Sequence, residues 1–463
     1  MQNHGRRSLY IKSIAAIKNY FGRYWFLKIL SFPIFLLLSV FHYPYLYFFY
    51  RREIKNITAR QQVFFQAREE YGAILELLYY VRCWTNVRNS AVLIVFNPQF
   101  ALIKALASHI CPEVHVITPR VLLANFVQKA MGVFLRRYIF PPLYYRSLRW
   151  RPDAIYIYDI GAGDGWPYVK HLDPVYKKHA KDTPFWDAYV EARGVIDRRF
   201  DVYEDFLHLT RTSEGIHCDQ VLVRGLMADL EISGKYVVVN INVKDYSNQI
   251  QNIRRIAHFE RYNVLIDHLI RLGYSVVLQG TAEQPHFAPR KGFVDYAHSK
   301  FQSVENDLRL FAGCYFYVSS KTGAETYGIL YDKPILGLNY TELCAMKSSI
   351  RFRFFPKRIK DGRGRLMSWR DVLAHPVYFQ IGRILPTPEK VEFVEMDEQE
   401  IISAVDEFLL LMPKPREEWL NYSIQQREFK QLLHPGHMDL YHISAVPSDV
   451  YLKEDVIEGH LSI

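Results

Sequence analysis

The sequence predicts an α/β protein with two domains, each a parallel sheet packed with helices, behind an apolar N-terminal segment. Three observations predict this. From residue 89 to residue 338, apolar runs of strand length alternate with amphipathic runs of helix length, the pattern of parallel sheets layered with helices. The chain has 463 residues, 49% of them hydrophobic, which is enough for two or three domains with buried cores. Residues 29–50 contain no Lys, Arg, Asp or Glu.

That N-terminal run is as long as a bilayer span, which takes about 20 residues. However, Pro33 and Pro44 interrupt it, and its second half is dense in Tyr, a residue of the membrane interface. Basic residues flank both ends, Arg6, Arg7, Lys12, Lys18, Arg23 and Lys28 before it and Arg51, Arg52 and Lys55 after it. A single span places its positive bias on one side, whereas charge on both sides suits a segment that dips into one leaflet. Residues 1–60 are therefore read as a membrane-associated helical segment, monotopic or re-entrant. A single span and a buried helical hairpin are the alternatives. A cleaved signal peptide does not fit, because the apolar region comes late and no A-x-A-like site follows it.

Residues 61–82 are expected as a helix, from Ile74, Leu77, Leu78 and Val81 at helical spacing. Residues 91–96 form a continuous apolar run, as buried parallel strands do. A helix over 100–109, a strand over 114–117, a helix over 122–135 and a strand within 152–158 follow. Together they make a first α/β domain of residues 61–225. Residues 224–234 are polar and weakly periodic and are read as the linker. A second α/β domain, residues 235–395, opens with a strand over 237–241. An amphipathic helix over 259–272 stops before Gly273, as helices prefer. Strands over 274–279 and 293–296, a helix over 304–312, a strand over 314–318, a helix over 324–331 and a strand over 335–338 complete the predicted sheet. The C-terminal part, 396–463, holds two predicted helices, 398–412 and 417–433.

Composition narrows the partners. The formal charge of +10 favours anionic ligands or an anionic membrane surface. No RNA-recognition, zinc-finger or helix-turn-helix pattern is present, so nucleic acid is not expected. The five cysteines are scattered without C-x-x-C, which fits a reducing cytosolic setting and no disulfide framework.

The richest candidate site lies in the second domain. Ser319, Ser320, Lys321, Thr322, Gly323, Ala324 and Glu325 form a turn between a predicted strand and a predicted helix. A helix start presents unpaired N–H groups and a positive dipole end to an anion. The plainer reading is a βα turn capped by Ser or Thr. Open α/β sheets bind ligands beyond the carboxyl ends of their strands. Asn242 and Lys244 follow the first strand of this domain, Gly280 and Thr281 the second, and Asp295 the third, with Arg254 and Arg255 in a nearby basic loop. In the first domain, Asp159 and the glycines 161, 163 and 165 resemble the first motif of S-adenosylmethionine-dependent methyltransferases. Trp166 and Pro167 follow at once, where that motif calls for a helix. No metal site is expected: His434 and His437 read as a surface turn, and the catalytic-looking regions hold no Asp-x-Asp pair. No G-x-S-x-G elbow, phosphate-binding P-loop or H-E-x-x-H occurs.

The segment from residue 236 to residue 369 resembles a bacterial family of inferred glycosyltransferases with the two-domain GT-B fold. The resemblance is carried by Asn242 to Asp245, by Arg255 and Tyr262 in the helix ending at Leu272-Gly273-Tyr274, by Asp295, Tyr296, Ser299 and Asp307, by Ser319 to Gly323, and by Phe355-Pro356-Lys357 before Ser368-Trp369. The family usually has His and Arg where this chain has Asn242 and Lys244; Lys keeps the charge but not the bidentate fork.

The resemblance implies two Rossmann-like domains facing a cleft and a metal-independent transferase without a cofactor, using a nucleotide-sugar donor and a glycan or lipid-linked acceptor in surface polysaccharide assembly. The donor side would comprise Asn242, Gly280, Asp295, Ser319 to Glu325 and Lys357. Backbone amides of residues 321–324, with Lys244 or Arg255, would stabilise charge on the leaving phosphate, Glu325 would accept from sugar hydroxyls, and Asp164 would serve as base. The location implied is the cytoplasmic face of a bacterial inner membrane. A methyltransferase, a non-catalytic scaffold of a polysaccharide assembly complex and a nucleotide-sugar epimerase are the other readings.

Overall fold

The computed structural model describes residues 62–66, 91–95, 100–117, 155–156, 215–243, 257–281, 284–320, 322–340, 350–374, 392–433 and 446–449, with a few single residues besides. Residues 29–50 lie outside the described residues, and among the described residues no helix is long and apolar enough to cross a membrane. The chain divides into two compact units. One comprises Met1–Glu69, Ser90–Ala105 and Glu113–Asp159; the other comprises Glu70–Asn89, Leu106–Pro112 and Ile160–Ile463.

The first unit carries strands β1 (Gln62–Gln66), β2 (Ala91–Val95), β3 (His115–Ile117) and β4 (Ile155–Tyr156); helix α1 (Phe100–Ile110), between β2 and β3 in the chain, is divided between the two units after Ala105. The strands form one sheet in the order β3-β2-β1-β4, and every pair is parallel. The expected helix over 61–82 is corrected at its start, because residues 62–66 are strand. Val63, Phe64 and Phe65 are three consecutive apolar residues, β-branched or aromatic, which favour a strand. The helical spacing begins only further on, where Leu75, Leu78 and Val81 are helical and fully buried. The expected helix over 122–135 lies outside the described residues.

The second unit begins with α2 (Gln220–Asp229), where a linker over 224–234 was expected. The Asp219 carboxylate accepts from the Val221 N–H (2.8 Å) as its N-cap. Val223, Leu226 and Leu230 recur at helical spacing and are buried, so the stretch is a packed helix. There follow β5 (Tyr236–Asn240), α3 (Tyr262–Arg271), β6 (Ser275–Leu278), β7 (Phe293–Val294), α4 (Val304–Gly313), β8 (Phe316–Ser319), α5 (Glu325–Leu330), β9 (Ile335–Tyr340) and β10 (Phe352–Pro356). Then come β11 (Arg358–Lys360), α6 (Trp369–Ala374), β12 (Glu392–Val394), α7 (Glu398–Leu411), α8 (Ile424–Gln431) and β13 (Val446–Pro447). β11 and β12 form a separate antiparallel pair.

The main sheet has seven strands in the order β13-β10-β9-β8-β5-β6-β7, all parallel. From β7 through β10 this is the doubly wound order: the chain starts at β5, builds outward through β6 and β7, then returns to β8 on the other side of β5. The sheet does not end at residue 338 as expected, since β10 and β13 extend it. Helices cover both of its faces. Phe316 of β8 meets Phe408 of α7 (ring centroids 5.3 Å apart), while its neighbour Tyr317 meets Phe311 of α4 (5.0 Å). Successive strand residues point to opposite faces, so α7 and α4 lie on opposite sides. Val237, Val238 and Val239 of β5 are each 0% exposed, as the central strand of a two-faced core must be.

The C-terminal residues complete this unit. α7 packs on α3 and starts with a capping box between Asp397 and Glu400. The single helix expected over 417–433 is instead a 3-10 turn over Arg416–Leu420 followed by α8. Ser423 and Gln426 form a second capping box there, so the sequence restarts a helix at that point.

Candidate functional site

In a doubly wound sheet the chain leaves neighbouring strands in opposite directions at one place, opening a crevice at their carboxyl ends. Here that place lies between β5 and β8, which pair from Val237 with Phe316 to Asn240 with Ser319. β5 runs on into Ile241 and Asn242, and β8 into Ser320 and Thr322. The two chain ends are tied together. The Asn242 N–H donates to Ser320 Oγ (2.6 Å), and the Ser320 N–H donates to the Asn240 carbonyl (3.2 Å).

The turn from β8 to α5 is built around one carboxylate. Glu325 is 0% exposed. Its Oε1 accepts from Ser319 Oγ (2.9 Å) and from the Thr322 N–H (2.9 Å). Thr322 Oγ1 lies 3.1 Å from the hydroxyl of Tyr317, a phenol whose ionisation burial pushes up, with Glu325 adding to the effect. The Glu325 carboxylate thus holds the turn from within. The Thr322 amide, expected among the anion donors, points inward to it. Ser319 and Ser320 are likewise fully buried, while Thr322 and Ala324 are half-buried and Gly323 is exposed.

On the other side of β5, a polar chain runs beneath the edge. Asn240 Nδ2 donates to the Gln279 carbonyl (3.0 Å) and to Gln279 Oε1, and Gln279 Nε2 lies 3.5 Å from Asp307 Oδ2. Burial pushes the Asp307 carboxyl up to about 7, against hydrogen bonds from Tyr296 and Gln279 that favour its charge. Gly280 follows, and Gln302 Nε2 donates to its carbonyl. A Cβ at Gly280 would lie 2.6 Å from Gln284 Nε2, so the absence of a side chain lets Gln284 cross over and donate to the Ile241 carbonyl (2.9 Å). Asp295, after β7, contacts two imidazoles: its Oδ1 is 2.7 Å from His298 Nδ1 and its Oδ2 is 3.1 Å from His286 Nδ1.

The fold therefore brings Asn242, Gly280, Asp295 and residues 319–325 to one carboxyl edge. Of these, Asn242, Asp295, Thr322, Gly323 and Ala324 are reachable from solvent. Lys357 is turned inward: it is buried, and its Nζ pairs with Glu395 Oε1 at 2.9 Å. Burial lowers the pKa of this lysine despite the carboxylate beside it. Asp164, Lys244, Arg255 and Lys321 lie outside the described residues.

Sequence reasoning passed over Asn240, Gln279, Gln284 and Gln302, which shape the edge. Asn240 and Gln279 carried a signal, since each ends an apolar strand with a polar side chain. Gln284 and Gln302 sit in loops with no periodicity to mark them.

No family model matches the chain, and no curated protein matches it. Among solved structures it is similar to glycosyltransferases. One is the glycosyl transferase family 9 protein from Veillonella parvula DSM 2008, with 11% identity, TM-score 0.41 and coverage of 77% of this chain and 98% of that one. Another is the iron-containing dodecameric glycosyltransferase TibC from enterotoxigenic E. coli H10407, with 11% identity, TM-score 0.37 and 76% of each chain covered. A third is the E. coli heptosyltransferase WaaC with ADP, with 15% identity, TM-score 0.32 and coverage of 64% of this chain and 91% of that one. Likeness at this level decides neither the activity of this chain nor its ligand.

Proposed function

We propose that the seven-stranded unit binds a nucleotide-activated sugar across the carboxyl ends of β5 and β8, and that the chain is a glycosyltransferase. The observation that carries the reading is the strand order, which places the switch point between Asn240–Asn242 and Ser319–Gly323. In sheets of this order, nucleotides lie at that crevice. Gly323 and Ala324 open α5 beside it, and their small size lets a diphosphate approach the backbone. α5 has only six residues, so its dipole contributes little alone, and Lys244, Arg255 or Lys321 would supply the positive charge. The sequence resemblance over 236–369 supports sugar transfer over other nucleotide chemistry. The acceptor would be a glycan or lipid-linked glycan, presented at an anionic membrane surface by the basic N-terminal segment on the cytoplasmic side of a bacterial membrane. Asp164 is proposed as base.

The test is turnover. The full chain is incubated with membranes as an acceptor source and with UDP-, GDP- and CDP-sugars or S-adenosylmethionine, and the released nucleotide is measured. One nucleotide-sugar class is expected to turn over, and Lys244→Ala to lower kcat at least about tenfold by removing charge stabilisation of the leaving group. Turnover of none of the sugars, or conversion of S-adenosylmethionine to its homocysteine product, would contradict the proposal.

A further inference from the structure

We propose that His286, Asp295 and His298 form a binding site for one divalent cation of the zinc class at the carboxyl end of edge strand β7. The inference is independent of the nucleotide reading. The three side chains place one imidazole nitrogen from each histidine and a carboxylate oxygen all within 4.8 Å of one another. The imidazole rings stack, with centroids 3.7 Å and planes 29° apart, so their in-plane lone pairs run side by side, and the exposed His286 ring has to turn for both nitrogens to meet one ion.

Donor accounting gives the physical reason. His298 Nε2 lies 3.0 Å from the Gln284 carbonyl oxygen. A carbonyl only accepts, so Nε2 carries the hydrogen, and in a neutral ring Nδ1 is then a lone pair. That lone pair faces Asp295 Oδ1 at 2.7 Å, and a carboxylate oxygen is also only an acceptor. Two acceptors this close need a positive centre between or beside them, which is either a second proton on His298 or a metal ion. With a proton, His298 pairs with Oδ1 and the His286 Nδ1–H donates to Oδ2 at 3.1 Å. With a cation, the same three side chains turn their lone pairs onto one ion, and zinc titration separates the two states.

The spacing suits zinc. Ligands at about 2.0–2.1 Å in a tetrahedron stand about 3.3 Å apart, and the three ligand atoms lie within 4.8 Å of one another, so a shift of the exposed His286 ring closes the set on one ion. The outer support is already in place. Metal-bound imidazoles usually donate their second nitrogen to a carbonyl or carboxylate, and His298 does so to Gln284, whose side chain is anchored on Ile241. The His298 side chain is 15% exposed and that of Asp295 23%, whereas that of His286 is 71% exposed. The site is thus open on the His286 side, leaving a fourth position for water or a ligand oxygen, as in three-ligand zinc centres. An occupied site would clamp the segment from Gln284 to His286 to the end of β7.

The test uses the full chain, stripped with chelator and titrated with zinc chloride by calorimetry, with cobalt(II) absorption as a second readout. About one equivalent is expected to bind, with a rise in melting temperature by mass action. His286→Ala, at an exposed position, is expected to remain folded, to weaken binding at least about tenfold and to lose the thermal response. His437→Gln, outside the cluster, should bind as wild type does. X-ray absorption of the zinc form should show two imidazoles and oxygen. No zinc binding by wild type, or unchanged affinity in a folded His286→Ala, overturns the proposal.

Discussion

Asp307 is the buried side chain whose charge state the fold changes most plainly. It lies in the first turn of α4, where a negative charge is ordinarily favoured, yet burial outweighs that field and raises its pKa to about 7. One of its oxygens, Oδ1, has no hydrogen-bond partner among the described residues. The folded protein therefore holds a proton that the unfolded chain sheds near pH 4. Stability tied to this group is fully present below about pH 4, is lost as pH rises toward 7, and is constant above it. Asp307→Asn removes the dependence. In urea unfolding, its stability relative to wild type should rise by on the order of a few kcal/mol between pH 4 and pH 8; a difference that stays flat with pH would show the carboxyl to be ionised throughout. Glu325 is the second buried carboxylate at this scale, and what the fold decides for it is its partners. The sequence resemblance implies an acceptor for sugar hydroxyls at this position, and the fold points its Oε1 inward, onto the Ser319 hydroxyl and the Thr322 amide. No local pattern records that choice, because it depends on which way the turn folds over β8.

At the scale of elements, the contact of α2, α4 and β5 rests on a missing side chain. A Cβ on Gly313, the last residue of α4, would lie 2.4 Å from the Tyr236 hydroxyl and 2.5 Å from Val223 Cγ1. The Tyr236 hydroxyl is itself fixed, donating to the Leu310 carbonyl at 2.7 Å. Gly313→Ala should therefore destabilise the protein by about 1–3 kcal/mol, although alanine is the better helix former; a stabilised variant in thermal unfolding would mean that α2 is free to move aside. Most elements around this contact were legible. β5, β6, β8 and β9 are apolar runs bounded by turn residues, and α3 and α4 have clean helical spacing. α2 was missed because its exposed side carries Val221 and Leu222 beside Arg224 and Asp229, which blurs the spacing of the buried Val223, Leu226 and Leu230. β1 was missed because its five residues directly precede a stronger helical pattern. β10 and β13 are edge additions, recognisable as strands only once a sheet exists for them to join.

At the scale of the whole molecule, the legible property was the alternation of strands and helices, which implies parallel sheets and therefore a carboxyl edge where loops gather. The strand order was not legible, because it depends on where β8 returns relative to β5, and that order turns scattered polar residues into one candidate site. The neighbours at this edge, Asn242 with Ser320 and Ile241 with Gln284, are 78 and 43 residues apart in the chain, stretches that no local pattern spans. The ligand question can be put to the second unit directly, because the strands that form this edge all belong to it.

The most direct measurement is calorimetric titration of the full chain with UDP, GDP, CDP, CMP and S-adenosylmethionine, repeated on Gly323→Asp. Gly323 is exposed at the mouth of the β8–α5 turn, so the added carboxylate should leave the fold intact while repelling a phosphate. One nucleotide is expected to bind wild type, and the variant to bind it at least about tenfold more weakly, through like-charge repulsion at close range. Binding that is indifferent to Gly323→Asp would place the nucleotide elsewhere, and binding of S-adenosylmethionine alone would contradict the account.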